Sequence, residues 1–174
     1  MANCIPETFS IPVGKKHATV LDTIDVDLAA WRWYPKKASS GSIYAQRNIS
    51  RWRGKDIDEA NERLLHRIIL ERKLGRRLIE GERPDHINGD RLDNRRANIR
   101  LATRSQNAQN VSKHKDNKSG YKGVHWAAGR EKWCAMIMAN GKRYNLGYFT
   151  TAEIAYQAYC EAARRLHGEF ARLE

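Results

Sequence analysis

The stretch from Pro84 to Asn110, PDHINGDRLDNRRANIRLATRSQNAQN, constrains this chain more than any other. Pro84 disfavours helix at Arg83, so an extended segment starts there. Asp85 and His86 are consecutive in it and point to opposite faces. Asn88-Gly89 and Asp93-Asn94 are turn formers, so the chain reverses between His86 and Asn98. Asn88 and Asn94 are read as turn residues only. Ile99 to Ala102 alternates like a returning strand. Thr103-Arg104-Ser105-Gln106 is a capping box that starts a helix carrying Asn107. The predicted order is strand, loop, strand, helix, with Asp85 on the first strand and Asn107 on a helix packed against it.

Asp and Asn both offer oxygen, which suits a hard divalent ion such as Mg²⁺ or Mn²⁺. Two protein ligands leave coordination positions for water or a phosphate oxygen. An imidazole has an ordinary pKa of about 6.5, so His86 suits proton abstraction from water near neutrality. Together these residues form a minimal phosphodiester hydrolase, in which a metal neutralises developing charge while His86 activates water.

Charge places a polyanion near the same residues. The 174-residue chain carries 32 Lys+Arg against 20 Asp+Glu, a net charge of +12. Residues 61–118 hold 15 basic and 8 acidic side chains, more than half of that excess. Nucleic acid is the expected partner. Arg91, Arg95, Arg96, Arg100 and Arg104 are candidate phosphate contacts. An apolar fraction of 41% excludes a wholly disordered basic tail. No long uncharged apolar run or secretory leader is visible, so a non-secreted, cytoplasmic protein without a membrane partner is expected. The three cysteines form no CxxC pair, so no structural zinc or disulfide framework is expected.

Upstream, residues 8–47 read as short strands, with Trp31 and Trp33 on one strand face and in a small core. Residues 56–80 read as a helix capped at Asp56 or Asp58, with Leu64, Leu65, Ile68, Ile69 and Leu74 at helical spacing. Residues 112–118 read as a linker. Beyond it, YKGVHW, KWCAMIMA and KRYNLGYF alternate as strands, with an Asn140-Gly141 hairpin turn. The final segment reads as a helix, with a Thr150–Glu153 capping box, a stripe of Ile154, Ala158 and Ala162, and a stop at Gly168.

DHINGDRLDNRRANIR followed by LATRSQNAQN resembles the HNH endonuclease family, and more narrowly its phage-encoded homing-type members. The resemblance implies a ββα-metal core. It makes Asp85 and Asn107 the metal ligands and His86 the general base. Asn98 is then the residue that holds the loop and orients the base. His66, in LLHRII, matches an upstream His-Arg pair, with a structural or phosphate-contact role. Residues 119–174 resemble the Apetala-two/ERF DNA-binding domain, through Gly123-Val124, Trp133, Leu146-Gly147-Tyr148-Phe149 and Thr151-Ala152-Glu153. There the resemblance implies a sheet lying in the DNA major groove. The family's base code does not carry over, because its members have Arg where this chain has Lys122 and His125, so Lys122, His125, Arg130, Lys132, Lys142 and Arg143 on the exposed sheet and turns are the candidate contacts.

The expected architecture is α+β. An N-terminal β-rich region (1–55) precedes the HNH nuclease module (56–111), a linker (112–118) and the DNA-binding domain (119–174). The expected function is divalent-metal-dependent cleavage of double-stranded DNA, with no protein partner implied. A non-catalytic DNA-binding regulator is the alternative, disfavoured because Asp85, His86 and Asn107 are all present. An indiscriminate toxin-type nuclease is disfavoured by the C-terminal reader.

Overall fold

A computed structural model describes residues 7–39, 41–47 and 64–173. The chain divides into two compact units, Met1–Leu101 and Ala102–Glu174. The boundary falls inside the predicted nuclease module, and the N-terminal strands share a unit with Asp85 and His86.

In the first unit, β1 (Thr8–Val13) and β2 (His17–Asp22) form an antiparallel hairpin. A 3-10 helix (Thr23–Ala30) leads to a second hairpin, β3 (Tyr34–Lys37) and β4 (Ile43–Gln46). The two tryptophans do not share a strand face. Both precede β3, where the period-2 rule does not apply. Trp33 is buried and donates its indole N–H to Leu28 O at 2.9 Å, whereas Trp31 is 52% exposed.

Helix α1 (Leu65–Leu74) is shorter than predicted. Gly75 adopts a left-handed φ of 66° and its N–H caps the carbonyls of Arg72 and Glu71, which stops the helix. Residues 56–63, with the proposed caps Asp56 and Asp58, lie outside the described residues. Leu65, Ile69 and Leu70 pack into one core with Ile11, Val13, Leu21, Leu28, Trp33 and Ile99.

β5 (Glu82–His86) pairs with β6 (Ile99–Thr103), as predicted. The loop between them is fastened to the N-terminal hairpin. Val20 N–H donates to Leu92 O at 3.0 Å, and Asn94 N–H donates to Val20 O at 2.9 Å. Asp25 is fully buried and takes both arms of Arg96, at 2.7 and 2.8 Å, with Arg72 at 3.2 Å. The N-terminal strands therefore pack with the β5–β6 loop in the first unit.

The second unit opens with α2 (Arg104–Gln109). Thr103 Oγ accepts from Gln106 N–H while the Gln106 side chain accepts from Thr103 N–H, which is the predicted capping box. A three-stranded antiparallel sheet follows, in the order β7 (Val124–Ala127), β8 (Lys132–Ala139), β9 (Lys142–Phe149). Asn140 and Gly141 turn between β8 and β9 with φ of 50° and 74°.

Helix α3 (Ala152–His167) packs on that sheet. Its cap is Thr151, one residue later than predicted, accepting from Ile154 N–H at 3.3 Å. Its buried stripe is Ala152, Ala155, Tyr159, Ala162 and Ala163, while Ile154 is exposed. Small side chains let the helix lie close to β8. Among the described residues, no helix is long and apolar enough to cross a membrane.

Candidate active site

Asp85 and His86 end β5, and both are buried. Arg100 meets Asp85 Oδ2 through Nε at 3.0 Å and a terminal nitrogen at 2.9 Å. Arg91 stands 3.9 Å from Oδ1. These cations offset part of the cost of burying the carboxylate.

The His86 ring is oriented by a chain of hydrogen bonds. Thr19 Oγ1 on β2 donates to Leu92 O at 2.6 Å. Its oxygen then accepts from Asn94 Nδ2 at 2.7 Å. Asn94 Oδ1 lies 3.3 Å from His86 Nε2. A carbonyl oxygen can only accept, so this contact is a hydrogen bond only if Nε2 carries the ring proton. Nδ1 is then the basic nitrogen. Burial first, and Arg91 second, pull the His86 pKa down to about 4, against the opposing pull of Asn94, Asp85 and Asp90. The imidazole is therefore neutral near pH 7 and able to accept a proton.

Asn98 holds the loop from the other side. Its Oδ1 accepts from Asn88 N–H at 3.0 Å, and its Nδ2 donates to Asp93 O at 2.8 Å. Asn94 and Asn88 are more than turn residues. Asn94 is the direct partner of His86, and Asn88 donates its side chain to Asp93 Oδ2 at 2.8 Å. Behind His86, the His66 ring centroid lies 5.3 Å away and that of Tyr44 6.3 Å away. His66 is buried, and desolvation holds it neutral. The placement of Asn94, Thr19 and Tyr44 around His86 had no local sequence signal. Thr19 and Asn94 meet across 75 positions.

The predicted arginines divide by what holds them. Arg91 and Arg100 face Asp85, Arg95 clamps Asp93 at 2.6 and 2.7 Å, and Arg96 is committed to Asp25. Arg104 is exposed at the start of α2, and Asn107 lies half-buried on that helix, in the second unit.

On the second unit's sheet, Trp133, Ala135 and Ile137 face α3. The pairing then puts His125, Tyr148 and Arg143 on the opposite face, opposite Cys134 and Met138. Lys132 shares that face by strand alternation, and Lys142 is exposed at the hairpin turn. The Arg130 guanidinium sits 4.5 Å over the Tyr148 ring. Lys122 is elsewhere. Its ammonium donates to the carbonyls of Gln109 at 2.8 Å and Arg172 at 3.3 Å, and burial lowers its pKa to about 8.

Among the described residues, no three His, Cys, Asp or Glu side chains gather into a metal-holding group. The buried carboxylate of Asp85 offers oxygen, the donor that suits Mg²⁺, which keeps several waters and is commonly held by one or two carboxylates plus substrate phosphate.

The family profile described as HNH endonuclease matches residues 63–109, which hold all four of Asp85, His86, Asn98 and Asn107. Protein 3.8 of Escherichia phage T7 is 39% identical over 88 residues, which cover 51% of this chain and 72% of that relative. The chain belongs to the HNH endonuclease family. A second member, Uncharacterized HNH endonuclease L560 of Acanthamoeba polyphaga mimivirus, is 35% identical over 112 residues, 62% of this chain and 57% of its own length. No solved structure matches the chain. Membership in the HNH family makes a nucleic acid the substrate.

Proposed function

We propose that this HNH protein is a divalent-metal-dependent endonuclease of the phage homing type, which hydrolyses phosphodiester bonds in double-stranded DNA. The observation that carries the proposal is the neutral, oriented imidazole of His86 beside a buried carboxylate flanked by two guanidiniums.

In this reading His86 Nδ1 takes a proton from the attacking water. Asn94 keeps Nε2 protonated and so fixes the tautomer. As charge develops on the ring, the Asn94 carbonyl dipole and Asp85 favour the imidazolium. Asp85 and Asn107 would hold the ion, Mg²⁺ or Mn²⁺, which would supply Lewis-acid neutralisation of the scissile phosphate and the leaving oxygen. Asn98 fixes the loop on which His86 and Asn94 sit. Arg91 and Arg100 attract the phosphate to Asp85, because guanidinium forks bind phosphate as well as carboxylate.

The open face of the second unit's sheet, with His125, Arg130, Lys132, Arg143 and the adjacent Lys142, positions the duplex. Joining a modest DNA reader to a catalytic unit raises the effective concentration of the scissile phosphate. Incubation with supercoiled plasmid, with Mg²⁺ and then with EDTA, tests the proposal. Open-circle or linear product that EDTA abolishes supports it, and intact plasmid throughout rejects it.

A further inference from the structure

The first unit carries a second feature suited to nucleic acid. A cavity of about 570 Å³ lies between the β1–β2 turn and the segment running from the 3-10 helix into β3. Trp31 and Tyr34 line it and are 52% and 39% exposed. The guanidinium of Arg47, itself buried, sits 4.3 Å from the Trp31 ring centroid. Half of that indole remains open beneath a cation that polarises it. The lining includes two cations, Lys15 and Arg32, and no carboxylate. The nearby acids are engaged elsewhere, Asp22 by the Arg96 N–H, Asp25 by Arg96 and Arg72, and Asp27 by Arg72. An exposed β3 adds Lys36 and Lys37.

The cavity wall is held in place. Gly14 has φ +64°, and its N–H donates to Trp33 O at 2.9 Å. A Cβ there would come within 2.9 Å of Pro35 Cδ, so the turn packs directly on the segment bearing the aromatics. The β3–β4 hairpin comes close to His86, since Tyr44 on β4 packs near His66 and His86. Tyr44 and Arg47 are three residues apart, about 10 Å along extended chain.

We propose that this cavity binds an unpaired nucleobase of the DNA strand, stacked on Trp31, with the flanking phosphates on Lys15 and Arg32. Stacking on an aromatic face tolerates every base, and the cations follow the backbone, a combination that recurs in single-strand binding. The inference rests on the reading of the chain as a DNA nuclease.

The test measures binding of a labelled single-stranded oligodeoxynucleotide by fluorescence anisotropy, with all variants made in a full-length His86→Ala background. Trp31→Ala is expected to weaken binding about tenfold, and Trp31→Phe to keep most of it. The salt dependence should be unchanged by Trp31→Ala. The Lys15→Ala, Arg32→Ala pair should reduce its slope by about 1.4, or 0.7 per phosphate contact on single strands. Unchanged affinity in a folded Trp31→Ala protein overturns the proposal. If that variant does not fold, photo-crosslinking of the His86→Ala protein to an oligonucleotide bearing 5-iodouracil decides. A crosslink at Trp31 or Tyr34 supports the site, and crosslinks only elsewhere reject it. Plasmid cleavage by the native chain separates the two readings. Cutting together with an unaffected Trp31→Ala variant rejects the cavity alone, whereas no cutting rejects the nuclease reading.

Discussion

His86 Nε2 lies 3.3 Å from Asn94 Oδ1, a contact that is a hydrogen bond only when Nε2 carries the ring proton. The Asn94 amide cannot turn over without cost. Its nitrogen donates to Thr19, and Thr19 donates to the Leu92 backbone carbonyl. A backbone acceptor at one end thus sets the polarity of the whole chain of bonds up to the His86 ring.

Asn94→Ala should therefore reduce kcat by up to about 100-fold through a misplaced base, with KM little changed. It also leaves buried polar groups on Thr19 and His86, so a stability loss of about 1–3 kcal/mol should accompany it. Steady-state cleavage kinetics and a urea titration measure the two effects separately. Equal losses in Asn94→Ala and in Thr19→Val would show that both act through the same imidazole.

Asp25, in the 3-10 helix that follows β2, links α1 and the β5–β6 loop through Arg72 and Arg96. Asp25→Ala should cost about 3 kcal/mol, the lower end for a broken buried ion pair, because both arginines reach solvent. A lowered urea midpoint checks this. An unchanged midpoint would show that the N-terminal hairpin does not brace the loop.

Gly123 and Gly141 share a φ of 74° but not their surroundings. A Cβ on Gly123 would come within 2.2 Å of Tyr159 Cδ2 and 2.7 Å of Met136 O. A Cβ on Gly141 meets nothing within 4 Å. Gly141→Ala should cost about 1 kcal/mol from backbone strain alone. Gly123→Ala should add about 2 kcal/mol of overpacking against a buried ring. Thermal melts by circular dichroism compare the two.

Removal of divalent ions should abolish cleavage, and Mg²⁺ should restore it. Asp85→Asn keeps the side-chain shape and loses the charge, so it should need more Mg²⁺ for half-maximal rate than the native chain. A titration of cleavage rate against Mg²⁺ measures the shift. An identical titration curve would remove Asp85 from the ligand set.

The strand, loop, strand and capped helix around Asp85 and His86 were legible because turn formers, a capping box and alternation are local signals. Asn98 was legible through the family resemblance. Asn94 was read as a turn former because Asp93-Asn94 has that local signature. Its partnership with Thr19 spans 75 positions and leaves no trace in either segment. For the same reason nothing in the β-rich region 1–55 showed that Val20 hydrogen-bonds to Leu92 and Asn94. Trp31 and Trp33 were assigned one strand face, but both precede β3, so one became core and the other surface.

The most direct test of the account replaces the base itself. His86→Ala and the native chain are compared on supercoiled plasmid with Mg²⁺ for cleavage, and on the same DNA by gel shift for binding. The account predicts a loss of cleavage of about 10²–10⁴-fold, the usual contribution of a general base, with binding unchanged. A His86→Ala protein that cuts at the native rate would contradict it.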